Sequence, residues 1–237
     1  MKKITKIILL LSAVAILIAA GIGLYLAAPY LAMRPAKTGE IPGTGIYAIR
    51  NKIGALYLIE TAGDYIMIDA GSDAGAVEVS LKEAGIAPED VKWILLTHSD
   101  FDHVAALVLF PNAEIYMNED ERGLLDGTIS RSEGSYNSLP DGIAIDSIQL
   151  LQDEQELLLG GVKVGCFKAP GHTDGSMAYL VDDTYLFTGD AFRLRGNQMR
   201  LHPFTMDAAR AEASVKRLKG LPHSMILTSH YGYSTII

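Results

Sequence analysis

The sequence predicts an α/β (α+β) domain of two sheets packed face to face with helices outside, preceded by one N-terminal transmembrane helix. Three observations carry this expectation. Residues 7–33, IILLLSAVAILIAAGIGLYLAAPYLAM, contain no charged side chain. The rest of the 237-residue chain reads as two similar halves, each a run of short strands followed by a helix. No tandem repeat of short period interrupts that pattern.

A membrane span needs about 20 apolar residues, and residues 7–28 supply them. Lys2, Lys3 and Lys6 precede the run, so residues 1–6 are expected in the cytoplasm and the chain beyond the span outside it. The rival reading is a cleaved signal peptide, with an apolar core of about 7–15 residues and a small-residue cleavage site. The run here is longer, and Ala27-Ala28-Pro29 is a poor site because proline follows directly. The expected location is therefore the cell membrane, single-pass, with the main domain extracytoplasmic; secretion after cleavage is the alternative. Residues 29–43, with Pro35, Gly39, Pro42 and Gly43, read as a linker, and 44–237 as the main domain.

In order, Ile46–Ile49, Ala55–Glu60 and Tyr65–Asp69 read as strands. Ala74–Ala84 reads as a helix, with Val77, Leu81 and Ala84 on one face and Gly85 as its stop. Trp93–Thr97 is a short apolar strand, Val104–Phe110 the start of a helix that Pro111 ends, and Ala113–Met117 another strand. A short helix is expected over Glu119–Leu125, within a polar segment, 118–142, that reads mainly as an exposed loop. Long loops of this kind act as lids or stay disordered, and the sequence leaves both open. The second half gives strands at Ile143–Leu150, Gln155–Leu159 and Val162–Lys168, and a hairpin of Ala178–Val181 and Tyr185–Thr188. A helix over Asp207–Leu218 carries a stripe of Ala208, Ala211, Val215 and Leu218, and Ser224–Thr228 is the last strand.

Composition narrows the function classes. The lone cysteine, Cys166, excludes an intramolecular disulfide, and it lies too far downstream for a lipid anchor. The formal charge is −8; without the three lysines before the span, the exported part carries −11. An acidic domain argues against nucleic-acid binding, which needs a basic face, and against a polybasic membrane-surface patch.

The chemistry gathers at strand ends. His98, Asp100, Asp102 and His103 follow Trp93–Thr97 in THSDFDH. His172 follows the strand ending at Lys168, in PGHTDGS; Asp190 ends TGD; His230 stands in SHYG. Loops at strand ends on a rigid scaffold are where sites collect. Imidazole and carboxylate are the ligands of zinc and related first-row ions. Seven such donors exceed one tetrahedral ion and suit two ions sharing a carboxylate, an arrangement that can hold a hydroxide between them. His202 and His223 read as isolated histidines on the surface or in the core.

THSDFDH, PGHTDGS, TGD and SHYG, in this order and at these separations, resemble the metallo-β-lactamase superfamily over roughly residues 44–237. The resemblance implies a four-layer αββα sandwich. It implies two divalent ions, zinc foremost, with manganese or iron as options. By position, His98, Asp100 and His172 would hold the first ion, Asp102, His103 and His230 the second, and Asp190 both; the metal-bound hydroxide at Asp102 is the implied nucleophile. Asp69, at an early strand end, and Thr173 are expected to support ligands through hydrogen bonds. Ser176 is expected to shape the loop around His172.

Asp100 departs from the family pattern, which most often has histidine there; some branches carry aspartate, including the exported domain of bacterial competence proteins. A carboxylate in place of a neutral imidazole lowers the site's charge by one. The bound water should then ionise less readily, and harder ions such as manganese or iron should compete better with zinc. The change Asp100→His is expected to keep metal and lower the kinetic pKa.

The substrate is expected to be a small molecule cleaved at an ester, thioester, lactone or amide bond. Arg193, Arg195 and Arg200, just after Asp190, are candidates for binding an anionic group, or else a solvated charge run. Two alternatives stay open: a catalytically weak metal-binding protein on the same fold, and an iron-dependent oxygenase. The sequence does not address oligomeric state.

Overall fold

The computed structural model describes residues 2–235, with side chains described from residue 11 to 235. Met1, Ile236 and Ile237 lie outside the described residues, as do the side chains of the flanking lysines. Two compact units divide at Met33/Arg34. The first is helix α1 (Lys2–Leu31). Its stretch Leu11–Leu31 is long and apolar enough to cross a membrane; 21 residues at about 1.5 Å each give roughly 32 Å. Leu17, Leu24, Leu26 and other apolar side chains on it are exposed.

The second unit is a sandwich. One sheet joins β1 (Gly39–Ile41), β2 (Ile46–Asn51), β3 (Gly54–Glu60), β4 (Tyr65–Ile68), β5 (Val91–Leu95), β6 (Glu114–Asn118) and β7 (Gln149–Leu151) in chain order. β1 to β4 pair antiparallel, and β4 to β7 parallel. The chain continues through β8 (Gln155–Leu159), β9 (Val162–Lys168), β10 (Met177–Val181), β11 (Tyr185–Phe187), β12 (Arg193–Arg195), β13 (Gln198–Arg200), β14 (Met225–Leu227) and β15 (Tyr233–Thr235). The second sheet runs β15-β14-β11-β10-β9-β8, while β12 and β13 form a separate hairpin.

Strand residues alternate between faces, and here both faces of each sheet are covered. In β10, Met177, Tyr179 and Val181 join Tyr57, Ile59, Ile66 and Leu95 of the first sheet in the central core. Ala178 and Leu180 turn outward to Leu218 and Val215 of helix α5 (Ala208–Leu218). In β3, Tyr57 and Ile59 face inward, and Leu56 and Leu58 pack outward on Val77 and Leu81 of helix α2 (Ala74–Ala84). Strands buried on both sides read as continuous apolar runs, and this is why the two halves looked alike in sequence. The result is four layers, α/β/β/α.

Local chemistry sets the helix ends. Asp73 caps α2 by accepting from the Ala76 N–H at 3.1 Å, and Gly85 ends it at φ +72°. Asp207 caps α5 from the Arg210 N–H at 3.0 Å. Two short helices, α3 (Phe101–Val104) and α4 (Arg122–Leu125), lie between.

The structure departs from the sequence expectation in five places. The strand at Met225–Leu227 is not the last: β15 follows and pairs antiparallel with it. The segment read as a linker contains β1. Ile143–Leu150 is not one strand: a 3-10 turn occupies Ile145–Ser147, and only Gln149–Leu151 pairs with the sheet. Its apolar alternation arises because Ile143 and Ile148 pack on the outer core of the first sheet. Val104–Phe110 is largely a 3-10 segment, Ala105–Leu109, after α3. The arginine-rich stretch after Asp190 forms the β12–β13 hairpin.

Topology puts the loops of interest at one end. β4 and β5 are parallel, so Asp69 and Thr97 leave the first sheet side by side. β11 and β14 are parallel, so Thr188 and Thr228 leave the second sheet together. The sheets are tied there: the Met177 N–H donates to the Thr97 carbonyl at 2.8 Å, and the Tyr57 hydroxyl donates to the Thr228 carbonyl at 2.7 Å.

Candidate metal centre

The four motifs converge at this end. After β5 the chain runs through His98 and Ser99, and Asp100 leads into α3, so Asp102 and His103 lie in one short turn. Gly171 and Gly189 have left-handed or glycine-only backbone, φ +138° and +51°, and a Cβ at either would overlap Ala211 or Thr97. Glycine in PGH and TGD is therefore required by the close approach of α5 and of the first sheet.

His98, Asp100, Asp102, His103, His172, Asp190 and His230 all come together. Asp100 Oδ2 lies 3.1 Å from His172 Nε2 and 3.4 Å from His98 Nε2. Asp102 Oδ2 lies 3.2 Å from His230 Nε2 and 3.8 Å from His103 Nε2. Asp190 Oδ2 is central: 3.1 Å from His230 Nε2, 3.6 Å from His172 Nε2 and 3.8 Å from His103 Nε2. Ligands about 2.1 Å from a tetrahedral ion stand about 3.4 Å apart, so these spacings suit metal donors. Among the described residues, His98 Nε2, His103 Nε2, His202 Nε2 and Asp190 Oδ1 are buried with no hydrogen-bond partner. Unpartnered buried polar atoms are costly, and several converging on one carboxylate fit a cation.

The other ring nitrogens fix the imidazoles. His103 Nδ1 is 2.8 Å from Asp69 Oδ2, and His230 Nδ1 is 2.9 Å from the Ile53 carbonyl. His98 Nδ1 is 3.0 Å from the Thr97 hydroxyl. These contacts turn each Nε2 toward the centre. Asp69 also accepts from the Thr97 N–H at 2.8 Å, at a left-handed φ of +59° that aspartate tolerates. The Thr173 hydroxyl donates to Glu121 and pairs with the Ser176 hydroxyl at 2.7 Å.

Charge state divides the cluster in two. Burial, with His98 and His202 adding to it, pushes His172 down to about 3. Burial likewise pushes His202 down to about 4. Burial pulls the same way on His103, but Asp69 and Asp102 raise it to about 10. Asp190 and Asp102 overcome burial to raise His230 to about 11. Burial works to raise Asp102, yet His103 and His230 hold it at about 2.

Four residues escaped the sequence reading. His202 is not isolated: it is buried, its Nε2 is 3.5 Å from Asp190 Oδ2, and its ring is 4.8 Å from that of His172. Glu121, fully buried, accepts from the Ser99 N–H at 2.8 Å, the Gly175 N–H at 3.1 Å, and the Ser99 and Thr173 hydroxyls. It thereby ties the His98–Asp100 loop to the His172 loop. Arg131 and Asn137, from segment 118–142, contact Asp100. Among the arginines read as substrate contacts, Arg193 stands beside Tyr231, whose ring is 5.8 Å from His202. Arg195 and Arg200 are exposed, and Arg200 donates to Gln198 at 2.7 Å.

The sequence profile of the metallo-beta-lactamase superfamily matches residues 51–230. A probable metallo-hydrolase, YqgX, of Bacillus subtilis is 25% identical over 73% of this chain and 83% of its own length. A hydroxyacylglutathione hydrolase of Glaesserella parasuis is 29% identical over 76% of this chain and 66% of its own length, just under two thirds. A metallo-beta-lactamase family protein of Thermus thermophilus superposes with a TM-score of 0.62 at 25% identity, covering 80% of this chain and 74% of that one.

Proposed function

The chain belongs to the metallo-beta-lactamase superfamily, and on that premise we propose that it is a membrane-anchored metal-dependent hydrolase. Its reaction is cleavage of an ester, thioester, lactone or amide bond in a small molecule outside the cytoplasm. The observation that carries this reading is the convergence of the buried, unpartnered Nε2 atoms of His98, His103 and His202 on Asp190. His98, Asp100 and His172 would hold one ion and Asp102, His103 and His230 a second, with Asp190 shared between them. Divalent ions bound there would supply a Lewis acid and lower the pKa of a coordinated water.

The chain's own residues do the rest. Asp69 and the Ile53 carbonyl hold the His103 and His230 rings so that Nε2 faces inward. Asp102 is the more open carboxylate of the second set, with 27% of its side chain exposed against 5% for Asp190, so solvent and substrate arrive on its side. His202 Nε2 adds a polar group next to Asp190 for the substrate's oxygen. Arg193, beside Tyr231, is the arginine positioned to receive an anionic substrate group.

The test is a hydrolysis panel of chromogenic thioester, lactone, β-lactam and phosphodiester substrates on zinc- and manganese-loaded protein. Turnover of at least one carbonyl substrate, lost on chelation, is expected; no turnover by fully loaded protein returns the reading to a metal-binding protein. The Asp100 carboxylate favours harder ions, so iron is assayed in the same preparation, and one iron per chain would instead support an oxygenase. Anchoring by α1 predicts that the intact chain stays with membranes after carbonate washing while the domain is open to external protease.

A further inference from the structure

We infer that Asp100 and Arg131 act as one unit that replaces a neutral imidazole at the first metal position, so that the segment 118–142 carries part of the metal site. This rests on the metal-site reading above. An aspartate at position 100 alone lowers the site's charge by one, which weakens its hold on an anionic nucleophile. The structure supplies the missing charge. Arg131 Nε lies 3.1 Å from both Asp100 oxygens, and its Nη2 lies 3.0 Å from Oδ2. Both side chains are mostly buried, with 15% and 19% exposed, so the pair is weakly screened. A guanidinium cannot release its proton here, and the compensation is permanent.

The guanidinium is fixed from other sides as well. Nη1 donates to the His172 carbonyl at 2.9 Å and Nη2 to the Phe204 carbonyl at 3.0 Å. Nη2 is also 2.9 Å from His172 Nε2 and 3.4 Å from Nδ1. A donor on the in-plane lone pair of Nε2 would stand much farther from Nδ1, which lies across the ring. Nη2 therefore sits over the face of the imidazole, where a cation is favourable, and the Nε2 lone pair remains free for metal. The two carboxylate oxygens are likewise divided. Oδ1 accepts from Asn137 Nδ2 at 2.9 Å, while Oδ2 faces His172 and His98. The loop's Arg131 holds both oxygens, and only Oδ2 also faces the imidazoles. Arg131 and Asn137 are thus positioning residues, and Asp100 paired with Arg131 has the net charge of a histidine.

The pairing reverses the simple expectation for Asp100→His. That change leaves Arg131 facing three imidazoles without its carboxylate, and a buried unpaired charge is strongly unfavourable. The experiment measures metal per chain after exhaustive dialysis, and the cobalt(II) absorption spectrum, for the full-length protein and three variants. Wild type is expected to retain two ions. Asp100→His is expected to retain one, held by the second set, and that ion reports a folded domain. The double variant Asp100→His/Arg131→Met, with a neutral imidazole and no guanidinium, is expected to regain two ions. Arg131→Met alone is expected to keep two ions and to move the pH-dependent cobalt spectrum upward by about one unit, the scale of one nearby charge. Two ions in Asp100→His with Arg131 intact overturn the inference, as does a double variant no better than the single. An unchanged cobalt pH profile in Arg131→Met does the same. A wild-type chain that retains no metal overturns the metallohydrolase reading itself.

Discussion

The two donor sets around Asp190 are built from different material. Asp102, His103 and His230 are held by strand ends: Asp69 at the end of β4, the Ile53 carbonyl between β2 and β3, and α3 behind them. His98, Asp100 and His172 are held largely by side chains from segment 118–142: Glu121, Arg131 and Asn137. Their charge states differ in the same sense, with His103 and His230 raised to about 10 and 11 by the carboxylates around them, and His172 lowered to about 3 by burial. The second set is therefore part of the sandwich's own hydrogen bonding, whereas the first depends on a loop that must dock correctly. Such a difference lets one ion be held firmly while the other is tuned.

The change with the largest expected effect removes what the sets share. Asp190→Asn takes the charge from the carboxylate that faces His103, His172, His202 and His230, and both ions and all hydrolysis should be lost. Retention of either ion at wild-type affinity, by isothermal titration calorimetry, would show that Asp190 serves neither set.

Asp69→Ala separates the sets. It removes the acceptor of His103 Nδ1 and of the Thr97 N–H. Stability should fall by about 3–5 kcal/mol, the cost of breaking a buried ion pair, and affinity at the second set by about 10–100-fold. Denaturant melts with and without metal check this, and first-set affinity should move less.

Glu121→Gln is the counterpart on the loop side. An amide cannot accept from all four donors, and about 1–3 kcal/mol should be lost, with the weakening confined to the first set. An equal loss at both sets would contradict the division drawn here.

The mildest handle is pH on chelator-treated protein. His103 and His230 are raised above the ordinary imidazole value of 6.5, so the stability they contribute is fully present below about 6.5 and is lost as pH climbs through their folded values near 10–11. The melting temperature of the metal-free chain should fall between pH 7 and 10. Metal-loaded protein, whose imidazoles are already deprotonated by the ions, should stay nearly level over that range. Parallel scans with and without chelator decide it.

The same division explains what could be read from sequence. His98, Asp102, His103, His172, Asp190 and His230 each follow a strand within a few residues, so the strand pattern located them, and the sandwich followed from apolar runs covered on both faces. Glu121 and Arg131 have no such marker. Glu121 stands in the acidic run NEDE and becomes a buried carboxylate only because Ser99 and Gly175, distant in sequence, donate to it. Arg131 meets Asp100 and His172 across 31 and 41 residues, from a polar loop with no periodicity. His202 follows a hairpin that was not foreseen, and the position of that hairpin is what carries its ring into the cluster. Contacts fixed by loop docking are non-local and leave little trace in local pattern.

The most direct measurement is the metal content of the full-length protein, purified in detergent without added metal, reconstituted with zinc or manganese and dialysed. The account predicts two divalent ions per chain, falling to one in Asp100→His and returning to two when Arg131→Met is added. A wild-type chain with no bound ion would contradict the metal centre, and a content indifferent to both substitutions would contradict the construction proposed for its first half.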